Sequence, residues 1–405
     1  MKIRRNCRIC SGNLKKIIKF NRISLVGEFL KNRKKQKKYP ISLNYCKTCM
    51  HLQIAEIINP KKLFSNYLWE TSVSSSNFKI FSDLVDSYKG QIKRKTKIFE
   101  VASNDGSFLI FLKKKFNCFT LGIDPAVNLK NKNKKIDQIS GFFNYKSSKK
   151  IFSKYGYFDF IFARNVLAHV TNPNEIFLGI RKLLKENGKA IIEVPHLLPI
   201  IKKIQYDNIF HEHQGFHSVK SINDLCIRNN LCLTDVKNIE SQGGSIRCEI
   251  RKKSFFKLIK KEVNRQINIE KKEKLFNRKF LEEYKNKILH HKKKLNNLIK
   301  NLKLKEKKIS IYGASGKGQA LLQYCNINEK MIDKVYDKSK LKNKRYTPGS
   351  GILIENPIKI RKEKIDFLLL MAWNIKDEII KQEMKFIKKG GRFILPFPQP
   401  KIIKK

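Results

Sequence analysis

The sequence predicts an α/β protein in which two Rossmann-like units follow a small cysteine-rich domain. Three observations support this prediction. Two C-x-x-C pairs lie near the start of the chain, a strand–turn–helix–strand pattern occupies residues 96–125, and a second strand, glycine-rich turn and helix begin at residue 307. The chain has 405 residues, enough for several domains with cores of their own.

Composition indicates a globular protein without a membrane partner. Hydrophobic residues make up 41% of the chain, and no run of about 18 uncharged apolar residues, as a spanning helix needs, is present. The basic N-terminus continues into cysteines and polar residues instead of an apolar segment, so a secretory signal is not expected. We therefore expect a cytoplasmic protein.

The formal net charge of +54 allows two interpretations. Lys and Arg clustered on one surface would favour binding to a nucleic-acid backbone. Here lysine is spread along the whole chain with abundant Ile, Asn and Phe, a mixture typical of an AT-rich genome, which favours a solvated surface. A nucleic-acid partner is therefore not expected, and we expect a monomer or a weak oligomer.

Two cysteine pairs near the start predict a structural Zn²⁺ site. Each C-x-x-C turn presents two thiolates, and two such turns complete the tetrahedron that zinc prefers; the predicted ligands are Cys7, Cys10, Cys46 and Cys49. Unrelated reduced pairs or a thioredoxin-like redox pair are the alternatives, but no βαβ pattern surrounds either turn. A disulfide framework is not expected, and the other five cysteines are interpreted as buried thiols: Cys118, Cys226, Cys232, Cys248 and Cys325.

Residues 96–125 predict the front of a doubly wound sheet, with a ligand beyond the carboxyl ends of its strands. The first turn, E-V-A-S-N-D-G at 100–106, lacks the glycines that a dinucleotide pyrophosphate requires. S-adenosylmethionine (SAM) has no phosphate and tolerates Ala and Asn there, so SAM is the predicted cofactor. Asp124 ends the second strand, where it would accept the ribose hydroxyls or, alternatively, cap a helix before Pro125. The predicted cofactor-binding residues are Glu100, Ala102, Asn104, Gly106, Asp124 and Asn165.

Later strands complete this unit. Apolar segments at 158–170 and 189–197 continue the sheet, and the segments at 231–240 and 245–253 can pair as a terminal hairpin. A parallel sheet that ends in an antiparallel hairpin is typical of class I SAM-dependent methyltransferases. The predicted fold class is therefore a class I Rossmann-like domain between a four-cysteine zinc-binding domain and a second Rossmann-like domain.

The segment N-I-F-H-E-H-Q-G-F-H-S at 208–218 holds three of the eight histidines. In an extended segment, His211 and His213 would share one face and Glu212 would lie on the other. The cluster could bind a metal, although no third ligand is evident, could be structural, or could do acid–base work, because the ordinary histidine pKa is about 6.5. With a methyl donor, such a base would remove a proton next to a carbonyl, and the enolate carbon would attack the methyl group.

Five strings, A-R-N-V-L-A-H-V, E-V-P-H, D-N-I-F-H-E-H-Q-G-F, G-G-S-I-R and I-Y-G-A-S-G-K-G-Q-A-L-L-Q-Y-C, follow one another along the chain. In order and spacing they resemble the sugar C-methyltransferases that act on nucleotide-linked keto-deoxysugars. The C-x-x-C pairs and the serine-rich segment 71–76 match as well, so the resemblance covers nearly the whole chain. It implies a zinc-binding domain, a methyl-donor domain, and a Rossmann-like domain that completes a sugar-nucleotide site.

The resemblance also implies catalytic residues. The base of the family's H-E-H motif falls on His213, with Glu212 beside it. The histidine of the N-V-x-x-H segment falls on His169, which would steady the ketone oxygen or the enolate. An aromatic residue at the end of the first domain corresponds to Tyr67.

The chain departs from the family pattern around H-E-H. Phe210 stands where a tyrosine is usual, and Phe216-His217 replaces the usual aromatic pair. The base is kept, but the exact sugar and the oxyanion partner are not fixed by the resemblance.

The third unit opens with G-x-x-G-x-G at 313–318. It does not fit the P-loop template, which needs G-x-x-x-x-G-K followed by Ser or Thr. Backbone amides at a helix N-terminus together with Lys317 could still bind a diphosphate, or the turn could carry no ligand. The predicted substrate-binding residues are His211, Arg247, Ser315 and Lys317.

These patterns predict four segments: a zinc-binding domain at 1–70, a methyltransferase domain at 71–253, a helical connector at 254–306, and a substrate-binding domain at 307–405. The connector predicts one or two packed helices, with a coiled coil as the alternative. The predicted function is SAM-dependent C-methylation beside the ketone of a nucleotide-linked sugar. The alternatives are a zinc-ribbon RNA methyltransferase and a scaffold that binds zinc and nucleotide.

Overall fold

The fold is known from a computed structural model, which describes residues 1–73, 76–129, 136–254, 261–275 and 277–403. Two residues of the serine-rich segment, 74 and 75, lie outside the described residues, as do residues 255–260 and 276 of the predicted connector. The described residues form three larger sheets and one short strand pair.

The N-terminal part forms a four-stranded antiparallel sheet beside the two cysteine pairs. Its strands are β2 (Leu14–Lys19), β3 (Ser42–Cys46), β4 (His51–Ile54) and β11 (Gly215–Phe216), in the order β11-β4-β3-β2. A separate pair joins β1 (Lys2–Ile3) to β5 (Glu56–Ile57), and α1 (Pro60–Phe64) follows. The edge strand β11 comes from the histidine-rich segment, so this sheet is completed by residues far along the chain.

The central sheet has seven strands in the order β12-β13-β10-β9-β6-β7-β8. They are β6 (Lys97–Val101), β7 (Phe119–Asp124), β8 (Asp137–Ser140), β9 (Phe158–Arg164), β10 (Leu184–Pro195), β12 (Leu231–Ile239) and β13 (Ser245–Lys252). β6 to β10 run parallel, and β13 is antiparallel to both β10 and β12. The predicted class I fold and its terminal hairpin are confirmed. The strand order changes direction between β6 and β9, where a doubly wound sheet opens its ligand crevice.

Helices cover both faces of this sheet. They are α2 (Ser76–Asp86), α3 (Ser107–Phe116), α4 (Tyr145–Tyr155), α5 (Pro173–Leu183) and α7 (Val219–Arg228). A further helix, α6 (Leu197–Lys202), packs in the core shared by the first and third sheets. α4 and α7 begin with capping boxes, in which Asn144 pairs with Ser147 and Ser218 with Ser221. α3 starts at Gly106, whose φ of 75° suits a residue without a side chain. Short 3-10 turns occupy Thr71–Val73, Leu167–His169, Tyr206–Asn208, Ser241–Gly243, Pro357–Arg361 and Trp373–Ile375.

Two helices, α8 (Lys261–Lys272) and α9 (Arg278–Leu304), lie in the predicted connector. The third sheet has the order β16-β15-β14-β17-β18-β19, with only β19 antiparallel. Its strands are β14 (Ile309–Tyr312), β15 (Val335–Tyr336), β16 (Ile354–Glu355), β17 (Phe367–Leu370), β18 (Arg392–Leu395) and β19 (Lys401–Ile403), accompanied by α10 (Gly316–Tyr324), α11 (Lys376–Gln382) and α12 (Met384–Lys388). This is the predicted second Rossmann-like unit.

The cores of these parts are continuous. One buried cluster contains Ile54 of the first sheet, Ile288 of α9 and Ile311 of the third sheet, so α9 packs on the domains as predicted. Another joins Cys7 and Cys49 to the central sheet. The domain limits given above stay a prediction. Within the described ranges, no helix has the length and hydropathy needed to cross a bilayer.

Candidate active site

A cavity of about 820 Å³ lies where the three parts meet. Tyr67 lines it from the first part, Glu100, Asp124 and His169 line it from the carboxyl ends of central strands, and Lys317 lines it from the third part. Pockets for small ligands usually measure about 300–1,000 Å³. The cavity is therefore large enough for two small molecules to lie side by side.

His213 lines this cavity. Its Nδ1 lies 2.8 Å from the Asn208 carbonyl oxygen, which can only accept, so Nδ1 carries the proton and Nε2 is the unprotonated nitrogen. Burial, with smaller effects from His169 and Lys317, holds the pKa of His213 well below its ordinary value. The imidazole is therefore neutral at neutral pH and can accept a proton at Nε2.

His169 stands beside it. The two rings meet edge to face with centroids 4.7 Å apart, and His169 Nδ1 is buried with no partner among the described residues. Burial lowers the pKa of His169 to about 4. Both histidines are thus uncharged in the same cavity, and a hydrogen bond with the Glu212 backbone engages the other nitrogen of His169.

The expected alternation of side chains in the H-E-H segment is wrong. Residues 211–212 form a turn, closed by the His213 N–H donating to the Phe210 carbonyl at 2.9 Å. His211 consequently points elsewhere, and its Nε2 lies 3.0 Å from the Pro40 carbonyl oxygen. Because of this turn, His211 and His213 contact different parts of the protein. The side-chain alternation of an extended strand does not predict this.

Glu212 and Tyr67 form a second pair in the cavity wall. The Tyr67 hydroxyl donates to Glu212 Oε2 at 3.4 Å. Burial raises the pKa of Glu212 to about 7, despite the opposing effects of Tyr67 and Lys342. Burial, with Glu212 adding to it, keeps the pKa of Tyr67 well above its ordinary value, so this hydroxyl remains a donor.

The floor of the cavity, at the ends of β6 and β9, holds two unpaired buried oxygens. Glu100 Oε1 accepts from Nε and Nη2 of Arg164 at 3.2 and 2.8 Å, whereas Glu100 Oε2 and Asn165 Oδ1 are buried without partners among the described residues. Burial raises the pKa of Glu100 to about 7 against the effect of Arg164. Two free acceptors in one wall fit a ligand with several N–H donors, such as the amino group of SAM.

Asp124 ends β7 as predicted. Its Oδ2 accepts from the Asn104 N–H and its Oδ1 from the Ala126 N–H, both at 2.8 Å. Residues 125–129 form a bend and a turn, so the alternative of a helix cap is wrong. Each carboxylate oxygen keeps further acceptor capacity, which leaves Asp124 able to accept ribose hydroxyls. Together with Glu100 and Asn165, these acceptors fit SAM.

Asn104 and Ala102 also line the cavity, both with positive φ, 52° and 55°. The Asn104 side chain is already engaged. Its Oδ1 accepts from the N–H and hydroxyl of Thr71, and its Nδ2 donates to the Trp69 carbonyl. Asn104 therefore fastens segment 69–71 over the donor end of the cavity.

The third domain supplies a cationic wall. Lys317 is buried, and its Nζ donates to the Gln242 carbonyl at 2.8 Å; burial lowers its pKa to about 8, with Asp207 acting in the opposite direction. Lys342, which no sequence pattern predicts as a site residue, donates to the Ala314 carbonyl at 3.0 Å. Ser315 caps α10 by accepting from the Gly318 N–H at 3.1 Å. Two buried cations beside a helix N-terminus fit an anionic ligand.

The four cysteines of the predicted zinc site come together. Their Sγ atoms all lie within 4.8 Å of one another, with 3.4 Å between Cys7 and Cys49 and between Cys10 and Cys46. A tetrahedral site with Zn–S bonds of about 2.3 Å needs sulfurs about 3.8 Å apart. The arrangement fits a structural zinc site with four thiolate ligands, and among the described residues it is the only such cluster.

Three predicted residues do not line the cavity. Gly106 serves as the N-cap of α3, and His211 lies behind the turn. Arg247 donates from Nε to Glu193 Oε1 at 2.7 Å, so it contacts a wall residue instead of the cavity. Conversely, Arg164 was missed, although its place directly before Asn165 at a strand end was visible in the sequence. Lys342 had no local signal.

Three family models match successive parts of the chain. A zinc-binding domain matches residues 7–64, a methyltransferase domain matches residues 75–236, and a C-methyltransferase C-terminal domain matches residues 240–398. The C-methyltransferase NovU of Streptomyces niveus is 27% identical over 405 residues, covering 98% of this chain and 96% of NovU.

The three matched domains, in this order, are those of a SAM-dependent C-methyltransferase with an N-terminal zinc-binding domain. Its predicted cofactors, SAM and zinc, are confirmed by the methyltransferase-domain match and by the four-cysteine cluster. The RNA methyltransferase alternative rests on net charge alone.

Solved structures of more distant methyltransferases also resemble this C-methyltransferase. A SAM-dependent methyltransferase of Anabaena variabilis is 13% identical, with a TM-score of 0.35, and covers 43% of this chain and 84% of its own. Magnesium protoporphyrin IX methyltransferase of Synechocystis with bound SAM is 11% identical, with a TM-score of 0.31, and covers 45% and 78%. At these TM-scores neither structure bears on the reaction.

Proposed function

We propose that this C-methyltransferase methylates the carbon next to the ketone of a nucleotide-linked keto-deoxysugar, with His213 as the general base. The observation that supports this proposal is the protonation state of His213. Its imidazole is neutral, and its Nδ1 donates to the Asn208 carbonyl, so Nε2 is unprotonated. A base of this kind suits removal of a carbon-bound proton at neutral pH.

The residues divide the work as follows. Nε2 of His213 takes the proton, and the C–H electron pair becomes the enolate. His169, in the tautomer that carries its proton on the unpartnered Nδ1, stabilises the enolate oxygen by donating to it. The Tyr67 hydroxyl, which stays protonated, adds a second donor by turning from Glu212 to the ligand. SAM supplies an electrophilic methyl group. The enolate carbon would bond to that methyl group as the methyl–sulfur bond breaks, with the electron pair of that bond staying on the sulfur of the departing S-adenosylhomocysteine.

The two ends of the cavity differ in chemistry, and each suits one of the two substrates, the methyl donor and the nucleotide sugar. Glu100, Asn165 and Asp124 offer acceptors at the central sheet, which suit the amino and ribose groups of the donor. Lys317 and Lys342 lie beside the N-terminus of α10 at the opposite wall, which suits the diphosphate of a nucleotide sugar. Binding both ligands in one cavity would bring the enolate carbon to the methyl group.

The test separates proton removal from methyl transfer. The enzyme is incubated with candidate keto-sugar nucleotides in D₂O without donor, and exchange of the α proton is followed by NMR. Labelled donor is then added, and mass spectrometry detects methylated product. Wild type should catalyse both reactions with at least one substrate, and His213→Ala should lose about 10²–10⁴-fold of each while binding SAM within a few fold.

A matched control replaces an exposed histidine of α9, His290→Ala, which should leave both rates unchanged. Full exchange activity in His213→Ala would refute the base assignment. Loss of SAM binding in that variant would mean that the site is misplaced.

A further inference from the structure

Arg8 lies between the first two zinc ligands, Cys7 and Cys10, and only 2% of it is exposed. Its Nη1 donates to the Thr171 carbonyl at 3.0 Å and its Nη2 to the Ile54 carbonyl at 2.9 Å. Arginines are almost never fully buried unless they are paired with an acid. Here both acceptors are main-chain carbonyls, so the side chain acts as a bridge between two backbone segments.

One end of this bridge leads to His169. Thr171 lies two residues after His169 on the loop that follows β9. The helix that follows this loop, α5, contacts the cysteine turn as well, because Asn174 Nδ2 donates to the carbonyls of Arg8 and Ile9 at 3.1 and 3.2 Å. The cysteine turn and the His169 loop are thus joined in both directions.

The other end leads to His213. Ile54 is the last residue of β4, and its N–H donates to the Gln214 carbonyl at 3.3 Å. Gln214 follows His213 directly, and its own N–H donates to the Ala168 carbonyl, next to His169, at 2.6 Å. These contacts form a closed ring. Arg8 donates to the backbone of the loop that carries His169 and to strand β4, which in turn is bonded to the residue after His213.

From this arrangement we infer that Arg8 is a positioning residue for the pair His169 and His213. Its guanidinium group holds the His169 loop and strand β4 at a fixed separation. The cysteines on either side of Arg8, when they bind zinc, fix the position of the Arg8 backbone. A lysine has a single ammonium head and cannot replace the planar fork that reaches both carbonyls. The functional meaning of this role rests on the proposed function, but the geometric role does not.

The geometric role is tested on the full chain with its zinc bound. The protein has eight histidines, so ¹³Cε1-labelled histidine gives eight signals, assigned by single His→Asn variants. In Arg8→Lys and Arg8→Met, the signals of His169 and His213 should shift while that of exposed His290 does not. Zinc content, measured by elemental analysis, should stay at one per chain. Arg5→Met, which replaces a neighbouring exposed arginine, should change neither.

Kinetics then link position to catalysis. We expect kcat for methyl transfer to fall about 10–100-fold in Arg8→Lys, because displacement by about 1 Å can cost about 10²-fold, with KM and SAM affinity within threefold of wild type. Unmoved signals of His169 and His213 in a zinc-loaded Arg8→Lys protein would overturn the inference, as would loss of kcat only in proportion to lost zinc. Full activity of His213→Ala in the same assay would instead count against the proposed function, and the NMR result for Arg8 would still stand.

Discussion

Lys317 offers a quantitative test, because its burial predicts an unusual pH dependence. Its pKa is lowered to about 8, so the charged fraction falls from about 0.9 at pH 7 to about 0.1 at pH 9, whereas an ordinary lysine with a pKa of about 10.4 would stay charged. If only the ammonium form binds the diphosphate, kcat/KM should fall about tenfold between pH 7 and pH 9. The sign follows from the lysine losing its proton as pH rises.

The assay is the pH profile of kcat/KM for the sugar nucleotide, which reports groups of the free enzyme. Lys317→Arg keeps a charge throughout this range, so its profile should lack the tenfold fall between pH 7 and pH 9. Lys317→Met should be uniformly low and flat, and Lys340→Met, at an exposed position of the same domain, should follow wild type. A flat wild-type profile up to pH 9, or a descending limb that survives in Lys317→Met, would refute the reasoning.

Three further outcomes are expected. Cys46→Ser should reduce zinc from one per chain to none and lower Tm, whereas Cys232→Ser should keep the metal, as elemental analysis and calorimetry would show. Asp124→Ala should weaken SAM binding about 10–100-fold in titration calorimetry, because hydrogen bonds to a charged group are worth about 1.5–3 kcal/mol; unchanged affinity would remove Asp124 from the donor site. Gly122→Ala should lower the free energy of unfolding by about 1–3 kcal/mol in urea, since the added Cβ would lie 2.7 Å from Ser103 Cβ.

Much of the fold was predictable because its signals are local. The strand that ends at Asp124, the turn at 100–106 and the hairpin at 231–253 are patterns of neighbouring residues, and each forms as expected. The two C-x-x-C turns were equally readable, since zinc requires four thiolates and the spacing supplies two from each turn. SAM could also be predicted from a local pattern, because the turn at 100–106 lacks the glycines that a dinucleotide requires.

The environment of the histidines could not be predicted. An alternation rule placed His211 with His213, but the chain turns at residues 211–212 before it reaches β11, which pairs with β4 of the first sheet. Whether a buried group is charged depends on neighbours distant in the sequence. The pKa values of Glu212 and Lys317 follow from burial by several domains at once, and no local spacing encodes that burial.

By itself the sequence determined the residue types and the local elements: four cysteines with the spacing of zinc ligands, a strand-to-helix turn without dinucleotide glycines, two histidines that flank a glutamate, and a lysine at the start of a helix. Only the tertiary structure decided which of them share a cavity, since that depends on contacts between segments as distant as Arg8 and Thr171 or Lys317 and Gln242. The physical reason is the distance along the chain over which each interaction acts. Backbone conformation and metal-ligand spacing are set by adjacent residues, whereas burial, proton affinity and the meeting of loops are set by the packing of the whole chain.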